Sequence, residues 1–287
     1  MRGRVALVSG ALGATITGLY IYQRNAWWAE ENRGRFHFHD DRGYTKHLDK
    51  VGHFNATYFQ SMAVAQSLRW SGLSPSRTAA YGALAAWLVQ LQVEINDGFN
   101  DLWGFDVYDV VANTLGATYF YAREQLPALD PFMLKLSYWP SEYLLHGIEK
   151  PGGTHSPGVI DDYLGHTYWL SVRLHDLLPE SARPLWPGWL MLAGGVSGDR
   201  LYTPEQQRSY YVALDLYLER IIPAKTWLAA SRPRGPELPE AAYAGDTAGP
   251  AADPLPPLLR SAVNASTSLR SATSPGGGGK RRPIPGR

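Results

Sequence analysis

The sequence has no cysteine among its 287 residues. This excludes disulfide frameworks, thiolate metal sites, thiol nucleophiles and the acylated cysteine of a bacterial lipoprotein, so any catalysis must rely on oxygen and nitrogen groups. Net charge is also small, at +1 from 27 basic and 26 acidic residues. The chain therefore lacks the broad basic surface with which nucleic-acid binders attract phosphates, and we exclude nucleic acid as the main partner. Gly-rich phosphate loops, dinucleotide fingerprints and nucleophile elbows are absent as well.

A long uncharged run lies near the N-terminus, at residues 5–22, directly after the two arginines of "MRGR". At about 1.5 Å per residue such a helix would extend roughly 27 Å, enough to cross a hydrocarbon core. No small-x-small cleavage site follows, so we expect residues 1–28 to be an uncleaved signal anchor. The alternative is secretion to the periplasm after signal cleavage. We expect a small-residue packing face at Gly10, Ala14 and Gly18 and an interfacial aromatic belt at Tyr20, Tyr22, Trp27 and Trp28.

The next segments predict a mainly α fold. Apolar patterns separated by turn residues indicate helices at about 50–70, 78–95 and 107–121, and the short loops between them predict an antiparallel bundle. These helices are either weaker membrane spans or buried helices of a soluble domain. Alternation of large apolar residues after residue 160, at 168–174 and 212–218, predicts a small antiparallel β element, with a third strand between these two.

These patterns divide the chain into four parts. We predict an N-terminal membrane or signal helix at 1–28, a helical domain at 29–160, a β-containing extension of that domain at 161–230 and a disordered tail at 231–287. The tail is rich in Pro, Gly, Ala and Ser and poor in large apolar groups, which is the composition of disordered segments.

Polar residues occur in three pairs at helical spacing, one pair on each predicted bundle helix, and these pairs form the candidate site. Each pair shares one helix face, and antiparallel helices bring all three pairs to the same end of the bundle. Arg69, Arg77 and Arg123 then lie at the opposite end, on the same side as Arg2 and Arg4, in agreement with the positive-inside rule if the first helix spans a membrane. The candidate cluster consists of the pairs Asp49/His53, Glu94/Asp97 and Asp109/Asn113, with Lys50 beside the first pair.

Simpler interpretations of single members of this cluster remain open. Asp49 and Asp109 are each suited to cap the N-terminus of a helix. Glu94 is different, because a helix dipole disfavours a carboxylate near the C-terminus of the helix. We expect Lys50 or a protonated His53 as its partner.

A second polar segment, "FHFHDD", places His37 and His39 on one side of an extended strand. Two histidines at this spacing are able to bind a divalent metal ion, although the spacing alone is weak evidence. A divalent metal ion is therefore a candidate cofactor.

The motifs "FHFHDD", "DKVGHF", "EINDGFNDLWGFDVYDVVANTLGA", "TYWLSV" and "YYVALDLYLERI" together resemble the YfiM-like family of predicted bacterial periplasmic lipoproteins, a domain of unknown function. Residues 49–117 are similar, more distantly, to VanZ-like membrane proteins. The resemblance implies a bacterial envelope location and helices around the polar cluster, and for VanZ-like relatives a link to glycopeptide resistance. Because the chain has no cysteine to acylate, the first helix must provide any membrane anchor.

Two functions are consistent with these observations. The first is a non-catalytic envelope protein, anchored to the inner membrane and facing the periplasm, whose cluster holds helix ends together or binds a partner such as membrane lipid or another envelope protein. The second is a membrane-associated enzyme acting on a lipid-linked or cell-wall precursor. In that enzyme His53 would be the general base, oriented by Asp49, and the remaining carboxylates would act as acid or hold a metal ion.

Overall fold

The computed structural model describes residues 2–28, 33–147 and 158–222, apart from the side chain of Arg2. Within these ranges four long helices precede an antiparallel sheet. The long helices are α1 (Arg2–Ala26), α2 (Leu48–Trp70), α3 (Pro75–Asp97) and α4 (Val107–Gln125). The strands are β1 (Phe132–Tyr138), β2 (His166–Val172), β3 (Leu190–Asp199) and β4 (Gln207–Leu216), and the short helices are α5 (Glu142–Leu145), α6 (Leu174–Leu177) and α7 (Leu218–Ile221).

Helices α2, α3 and α4 form the predicted antiparallel bundle, with α2 in contact with both of the others. Two glycines permit the close approach of the helices. A Cβ atom at Gly82 would lie 2.5 Å from the carbonyl oxygen of Ser61, and one at Gly116 would lie 2.2 Å from that of Phe54. Because backbones approach this closely only where no side chain intervenes, these glycines set the spacing of the bundle. Its apolar centre consists of Tyr58, Ala65, Ala79 and Phe120.

Helix α1 runs antiparallel to α2. Near its start, the guanidinium of Arg4 lies 5.3 Å from the ring centroid of Trp70 at the end of α2. Just beyond its other end, Trp28 contacts the last turn of α3. Among the described helices only α1 is long and apolar enough to cross a membrane. A Cβ at Gly10 or Gly18 would meet nothing within 4 Å, so the predicted small-residue face has no packing partner in the described part of the chain.

The sheet is a four-stranded antiparallel meander in the order β1-β2-β3-β4. Its register aligns Leu134 with Leu170 and Leu170 with Gly194. Strand β1 packs against the bundle: Leu134 contacts the apolar centre, and the hydroxyl of Tyr119 donates to the carbonyl of Phe132 over 3.0 Å. The sheet therefore lies beside α2 and α4.

The predicted fold class is confirmed in the described residues: a mainly α chain with an N-terminal apolar helix, an antiparallel bundle and a small antiparallel sheet. Strand β1 was not predicted, and it falls within the range assigned to helices, 29–160. The alternation at 168–174 and 212–218 marks β2 and β4, although the last residues of both patterns, Leu174 and Leu218, begin short helices. The predicted disordered tail lies outside the described residues, and the four-part division of the chain stays a prediction.

Candidate functional site

Lys50 is the centre of a carboxylate cluster at the end of the bundle. Its Nζ lies 2.9 Å from Asp49 Oδ2, 2.8 Å from Asp106 Oδ2 and 2.8 Å from Asp109 Oδ1. It also donates to Asp41 Oδ1. One ammonium therefore joins four carboxylates from three segments: the chain before α2, α2 itself and the start of α4. Although burial lowers the pKa of Lys50, the facing Asp49 and Asp109 raise it overall, so the ammonium stays charged.

The chain approaches this cluster through an unusual turn. Thr45, Lys46 and His47 all have positive φ, at 45°, 55° and 64°. Left-handed conformations cost non-glycine residues roughly 1 kcal/mol or more each, so the surroundings must hold this turn in place. One contact that does so is the hydroxyl of Thr45, which accepts from the backbone N–H of Asp49 over 3.0 Å. The turn brings Asp41 back over Lys50.

His53 lies one turn further along α2 and faces three acidic groups. Its Nε2 is 3.7 Å from both Asp49 Oδ1 and Asp109 Oδ1, and its Nδ1 is 3.5 Å from Glu94 Oε1. Nδ1 is also 3.2 Å from the amide oxygen of Asn113. His53 thus connects α2, α3 and α4, and its side chain is 17% exposed.

Glu94 is buried in the cluster without a close hydrogen-bond donor in the described part of the chain. The residue is only 1% exposed, and its Oε1 has no hydrogen-bond partner among the described residues. Burial, with the nearby charges of Asp109 and Asp97, raises the pKa of Glu94 to about 10. A carboxyl group kept in its neutral form and lacking a partner is costly to bury, so the fold retains it at the expense of stability.

Among the other carboxylates of the cluster, the pKa is raised in some and lowered in others. Burial raises the pKa of Asp97 to about 7 and, together with the charge of Asp49, that of Asp109 to about 8. Burial and a hydrogen bond with Asp106 raise the pKa of Asp41 to about 7. At Asp106 burial acts in the same direction, but hydrogen bonds from Asp41 and Lys50 outweigh it and lower the pKa to about 2. The cluster therefore has more acid than its single lysine neutralises, and it holds protons near neutral pH.

The end of α1 closes over this cluster. Trp28 Nε1 donates to Asp97 Oδ1 over 2.6 Å, and the neighbouring Trp27 Nε1 donates to Asp161 Oδ2 over 2.7 Å. These indoles therefore bind carboxylates of the protein itself, so the predicted interfacial belt is only partly free to face lipid. The two hydrogen bonds fix the outer end of α1 to α3 and to the segment before β2.

A cavity of about 610 Å³ lies beneath these contacts. Its polar wall contains His53, Glu94 and Asp97 with parts of Asp49 and Asp109. Other lining residues are apolar, and several aromatic rings also line the cavity. The apolar lining residues include Ala26, Ala56, Phe59 and Val93, and the rings are those of Tyr22, Trp27, Tyr44, Trp103, Tyr163 and Tyr168.

Tyr163 connects the sheet side of the cavity to the cluster. Its hydroxyl donates to Asp49 Oδ1, and the neighbouring His166 also lines the cavity. Burial and the charge of Asp49 raise the pKa of Tyr163 well above its usual value, so the phenol stays a hydrogen-bond donor. Burial lowers the pKa of His166, which favours its neutral form.

The structure brings together the seven residues predicted from spacing: Asp49, Lys50, His53, Glu94, Asp97, Asp109 and Asn113. Of the two partners expected for Glu94, the structure places His53 and not Lys50 beside it, because Lys50 is occupied by four aspartates. One detail differs from the expectations. Neither Asp49 nor Asp109 is an N-cap, since those positions belong to His47 and Asp106, and Asp106 accepts from the N–H of Tyr108 over 2.7 Å.

Four residues of the site were not predicted: Trp28, Asp41, Asp106 and Tyr163. Asp106 lies three residues before Asp109, but it precedes the predicted start of the helix at residue 107 and so was not counted among the helical pairs. Asp41 was noted in "FHFHDD" but reaches the cluster only through the left-handed turn. Tyr163 and Trp28 come from segments distant in sequence, and no spacing rule connects them to α2.

His37 and His39 lie outside the cluster, against the turn at Gly104, where a Cβ atom would meet His39 Cβ at 2.5 Å and His37 Nε2 at 2.9 Å. In the described residues, neither belongs to a group of three potential metal ligands. Two other groups have such a geometry, and within each the ligand atoms lie within 4.8 Å of one another: Asp49 with His53 and Asp109, and Asp41 with Asp106 and Asp109. The metal site at His37 and His39 stays a prediction.

Comparison with known proteins gives one match. Residues 37–125 match the family described as "Predicted periplasmic lipoprotein (DUF2279)". This region contains the left-handed turn, α2, α3 and α4, and with them every predicted member of the cluster. No curated protein and no solved structure gives a significant match. The match and the apolar α1 agree with the predicted location in the cell envelope, membrane-anchored and facing the periplasm.

Proposed function

We propose that this chain is an envelope protein, anchored by α1, that binds a ligand in the cavity at the outer end of the bundle. The cluster then has two parts with different roles. The lysine cage, defined as Lys50 with Asp41, Asp49, Asp106 and Asp109, holds the helix ends together. The acid–imidazole wall, defined as His53, Glu94 and Asp97, faces the cavity and contacts the ligand.

The lysine cage has the properties of a structural element. Lys50 makes three contacts of 2.8–2.9 Å with aspartates, and its side chain is 15% exposed. Its carboxylates come from three chain segments, so the ammonium fixes their relative positions. Removing one partner of such a buried charge network is strongly destabilising, because the remaining charges lose their compensation.

The acid–imidazole wall has the properties of a binding surface. The observation that carries the proposal is the buried Glu94, which lines a cavity of about 610 Å³ and whose Oε1 has no hydrogen-bond partner among the described residues, since His53 Nδ1 is 3.5 Å away. Buried polar groups are nearly always satisfied in native proteins, so an orphaned carboxyl oxygen on a cavity wall supports the presence of a ligand there. A purely structural role would not explain why this group lacks a partner.

Substitution of Glu94 by Gln tests this function. The variant keeps the size of the side chain and removes the acid. We expect Glu94→Gln to fold and to accumulate normally in the envelope, and to lose complementation of the phenotype of a strain that lacks the protein. The matched control is Glu205→Gln, the same chemical change at an exposed position before β4, which should complement fully. Full complementation by Glu94→Gln at normal protein levels would contradict the proposal.

A second candidate function is an enzyme acting on a lipid-linked or cell-wall precursor, with His53 as general base. One specific observation favours it: a partly exposed imidazole lies 3.7 Å from the carboxylates of Asp49 and Asp109. This arrangement is suited to orient a base or, with a divalent ion, to hold a metal-bound water. Asp49, His53 and Asp109 would be the ligands, and the ion would compensate the excess of acid and bind a phosphate of the precursor.

Metal analysis and a second variant separate this enzyme from a binding protein. The enzyme predicts that purified protein retains a stoichiometric divalent metal, which His53→Gln and Asp109→Asn both release, and that each variant is inactive. Retention of the full complementing activity by a folded His53→Gln variant would exclude the imidazole as a base. Loss of activity in Glu94→Gln with full activity in His53→Gln would favour ligand binding without catalysis.

A further inference from the structure

The ionisable residues that line the cavity are mostly acidic. Among the described lining residues the acidic groups are Asp41, Asp49, Glu94, Asp97, Asp109 and Asp161, the basic groups are only His53 and His166, and there is no lysine or arginine. Without a metal ion an anionic ligand would meet only repulsion from these carboxylates. A positively charged group would instead neutralise acid that the protein itself leaves uncompensated.

The lysine cage demonstrates the kind of cation that this environment accepts. The ammonium of Lys50 is held by carboxylate oxygens at 2.8–2.9 Å in the same cluster. On the cavity side Glu94 lines the wall, and its buried Oε1 faces His53 Nδ1 at 3.5 Å, too far for a good hydrogen bond. Asp97 lies within the same wall and already accepts from Trp28 over 2.6 Å. A second ammonium in the cavity would give the carboxyl group of Glu94 a closer, charge-assisted donor than His53 provides.

The rest of the cavity indicates what the ammonium is attached to. Aromatic rings line the cavity, and the faces of such rings attract organic cations. Apolar residues line it as well, among them Phe59, Val93 and, at the end of α1, Ala26. Helix α1 is the one described helix long and apolar enough to cross a membrane, where amphipathic molecules are most concentrated.

We propose that the ligand of this cavity is an amphiphile with a primary ammonium head group, which Glu94 and Asp97 bind while its hydrocarbon part contacts the apolar lining residues of α1 and α2. This inference rests on the proposed ligand-binding function and specifies its chemistry. The ammonium belongs either to a lipid head group or to a smaller soluble amine.

Titration calorimetry with matched probes tests the charge of the ligand. The full chain is purified in nonionic detergent and titrated at pH 7 with hexylamine, hexanol and hexanoate, which share one hydrocarbon chain. We expect hexylamine to bind at least about tenfold more tightly than hexanol, and hexanoate not to bind, because only the amine gains a charge-assisted contact. In Glu94→Gln this preference should be lost, and in Glu205→Gln it should persist.

A second arm distinguishes the sources of the amine. The protein is placed in phosphatidylcholine nanodiscs with or without phosphatidylethanolamine, and its melting temperature is measured. A higher melting temperature in the discs with phosphatidylethanolamine supports a lipid amine. A rise in melting temperature when hexylamine is added only to pure phosphatidylcholine discs also supports a lipid amine, because the lipid would already occupy the site in the other discs. An equal rise in melting temperature in both kinds of disc supports a soluble amine.

The outcomes separate this inference from the proposed function. If hexanol or hexanoate binds as tightly as hexylamine, or if magnesium chloride stabilises the protein equally well, the ammonium is the wrong ligand class although a ligand site remains. If none of the three probes binds and Glu94→Gln also complements fully, the ligand-binding function itself fails. Loss of hexylamine binding in Glu205→Gln as well as Glu94→Gln would overturn the assignment to Glu94.

Discussion

At one end of the bundle Arg69 pairs with a single carboxylate, that of Glu124, whereas at the other end Lys50 contacts four aspartates. Both cations are about equally buried, with 15% of each side chain exposed. Burial alone therefore does not explain the difference. One carboxylate for one cation is what helix packing requires, and the surplus of acid is confined to the end that has the cavity.

The two ends also differ in which polar groups lack hydrogen-bond partners. At the basic end Arg69 donates to Glu124 and, over 3.2 Å, to Thr78. Arg123 Nε is buried there without a partner among the described residues, although the other nitrogens of the same guanidinium donate hydrogen bonds. At the cavity end Glu94 Oε1 and Asn113 Nδ2 are buried without hydrogen-bond partners among the described residues. Buried polar atoms without hydrogen-bond partners reduce the stability of the fold, and native proteins keep them mainly where function requires them. Under the proposed function, the basic end would serve packing and the acidic end would serve both packing and ligand binding.

The largest expected effect comes from removing the cation of the acidic end. Lys50→Met leaves four aspartates facing one another, and we expect a loss of about 3–5 kcal/mol in the free energy of unfolding, typical of a broken buried charge network. Chemical denaturation at pH 7 measures it. The control is Lys46→Met, outside the lysine cage, which should change stability by less than about 0.5 kcal/mol. A small loss in Lys50→Met would mean that the aspartates are compensated in another way.

The basic end should behave as an isolated pair. We expect Arg69→Met and Glu124→Gln each to cost about 2 kcal/mol, and the double variant to cost clearly less than the sum, because the second change removes the charge that the first leaves unpaired. In contrast, adding Asp106→Asn to Lys50→Met should recover little, since three aspartates remain. Double-mutant cycles at both ends measure this, and equal coupling energies would remove the distinction between the ends.

Glu94 should make stability depend on pH. Its pKa is raised from 4.5 to about 10 in the folded protein. Between these values the folded chain binds more protons than the unfolded chain, so stability is highest at low pH and is lost as pH rises through this window. We expect Glu94→Gln to make this loss of stability with rising pH less steep, by up to about 1.4 kcal/mol per pH unit. Unfolding measured from pH 5 to pH 9 checks this, and parallel curves for the two proteins would contradict the raised pKa.

The smallest expected effect concerns the contact of α1 with the acidic end. Trp28→Phe keeps the ring and removes the N–H that donates to Asp97, so we expect a loss of about 1 kcal/mol, the net contribution of one hydrogen bond to a charged or polar acceptor. Trp139→Phe is the control, because Trp139 is 70% exposed. Unfolding measurements on the two variants should differ by that amount, and equal stabilities would show that this hydrogen bond does not hold α1 in place.

The part of the site that spacing predicted is the part that helices position. Asp49 and His53, Glu94 and Asp97, and Asp109 and Asn113 meet because short loops make consecutive helices antiparallel, and that rule needs no tertiary information. Asp41 and Tyr163 escaped prediction because they reach the cluster through irregular chain. The left-handed turn at Thr45 could not be predicted from the sequence, because non-glycine residues rarely adopt that conformation.

For the fold, too, sequence patterns predicted some elements and missed others. Three bundle helices and three strands were visible as periodic patterns, whereas β1 was not. In β1, "FMLKLSY", the alternation is interrupted at its start, where Phe132 and Met133 are adjacent apolar residues. The strand becomes recognisable only from its pairing, in which Leu134 aligns with Leu170 and packs on the bundle.

Unfolding of Lys50→Met and Glu94→Gln side by side at pH 7 tests most directly whether the acidic end combines a structural part with a binding part. Both residues are buried ionisable groups of the same cluster, so a single structural network would make both substitutions costly. We predict a loss of about 3–5 kcal/mol for Lys50→Met and no loss, or a gain, for Glu94→Gln, because the raised pKa of Glu94 makes this acid itself destabilising at pH 7. Equal, large losses in the two variants would contradict the division of the cluster.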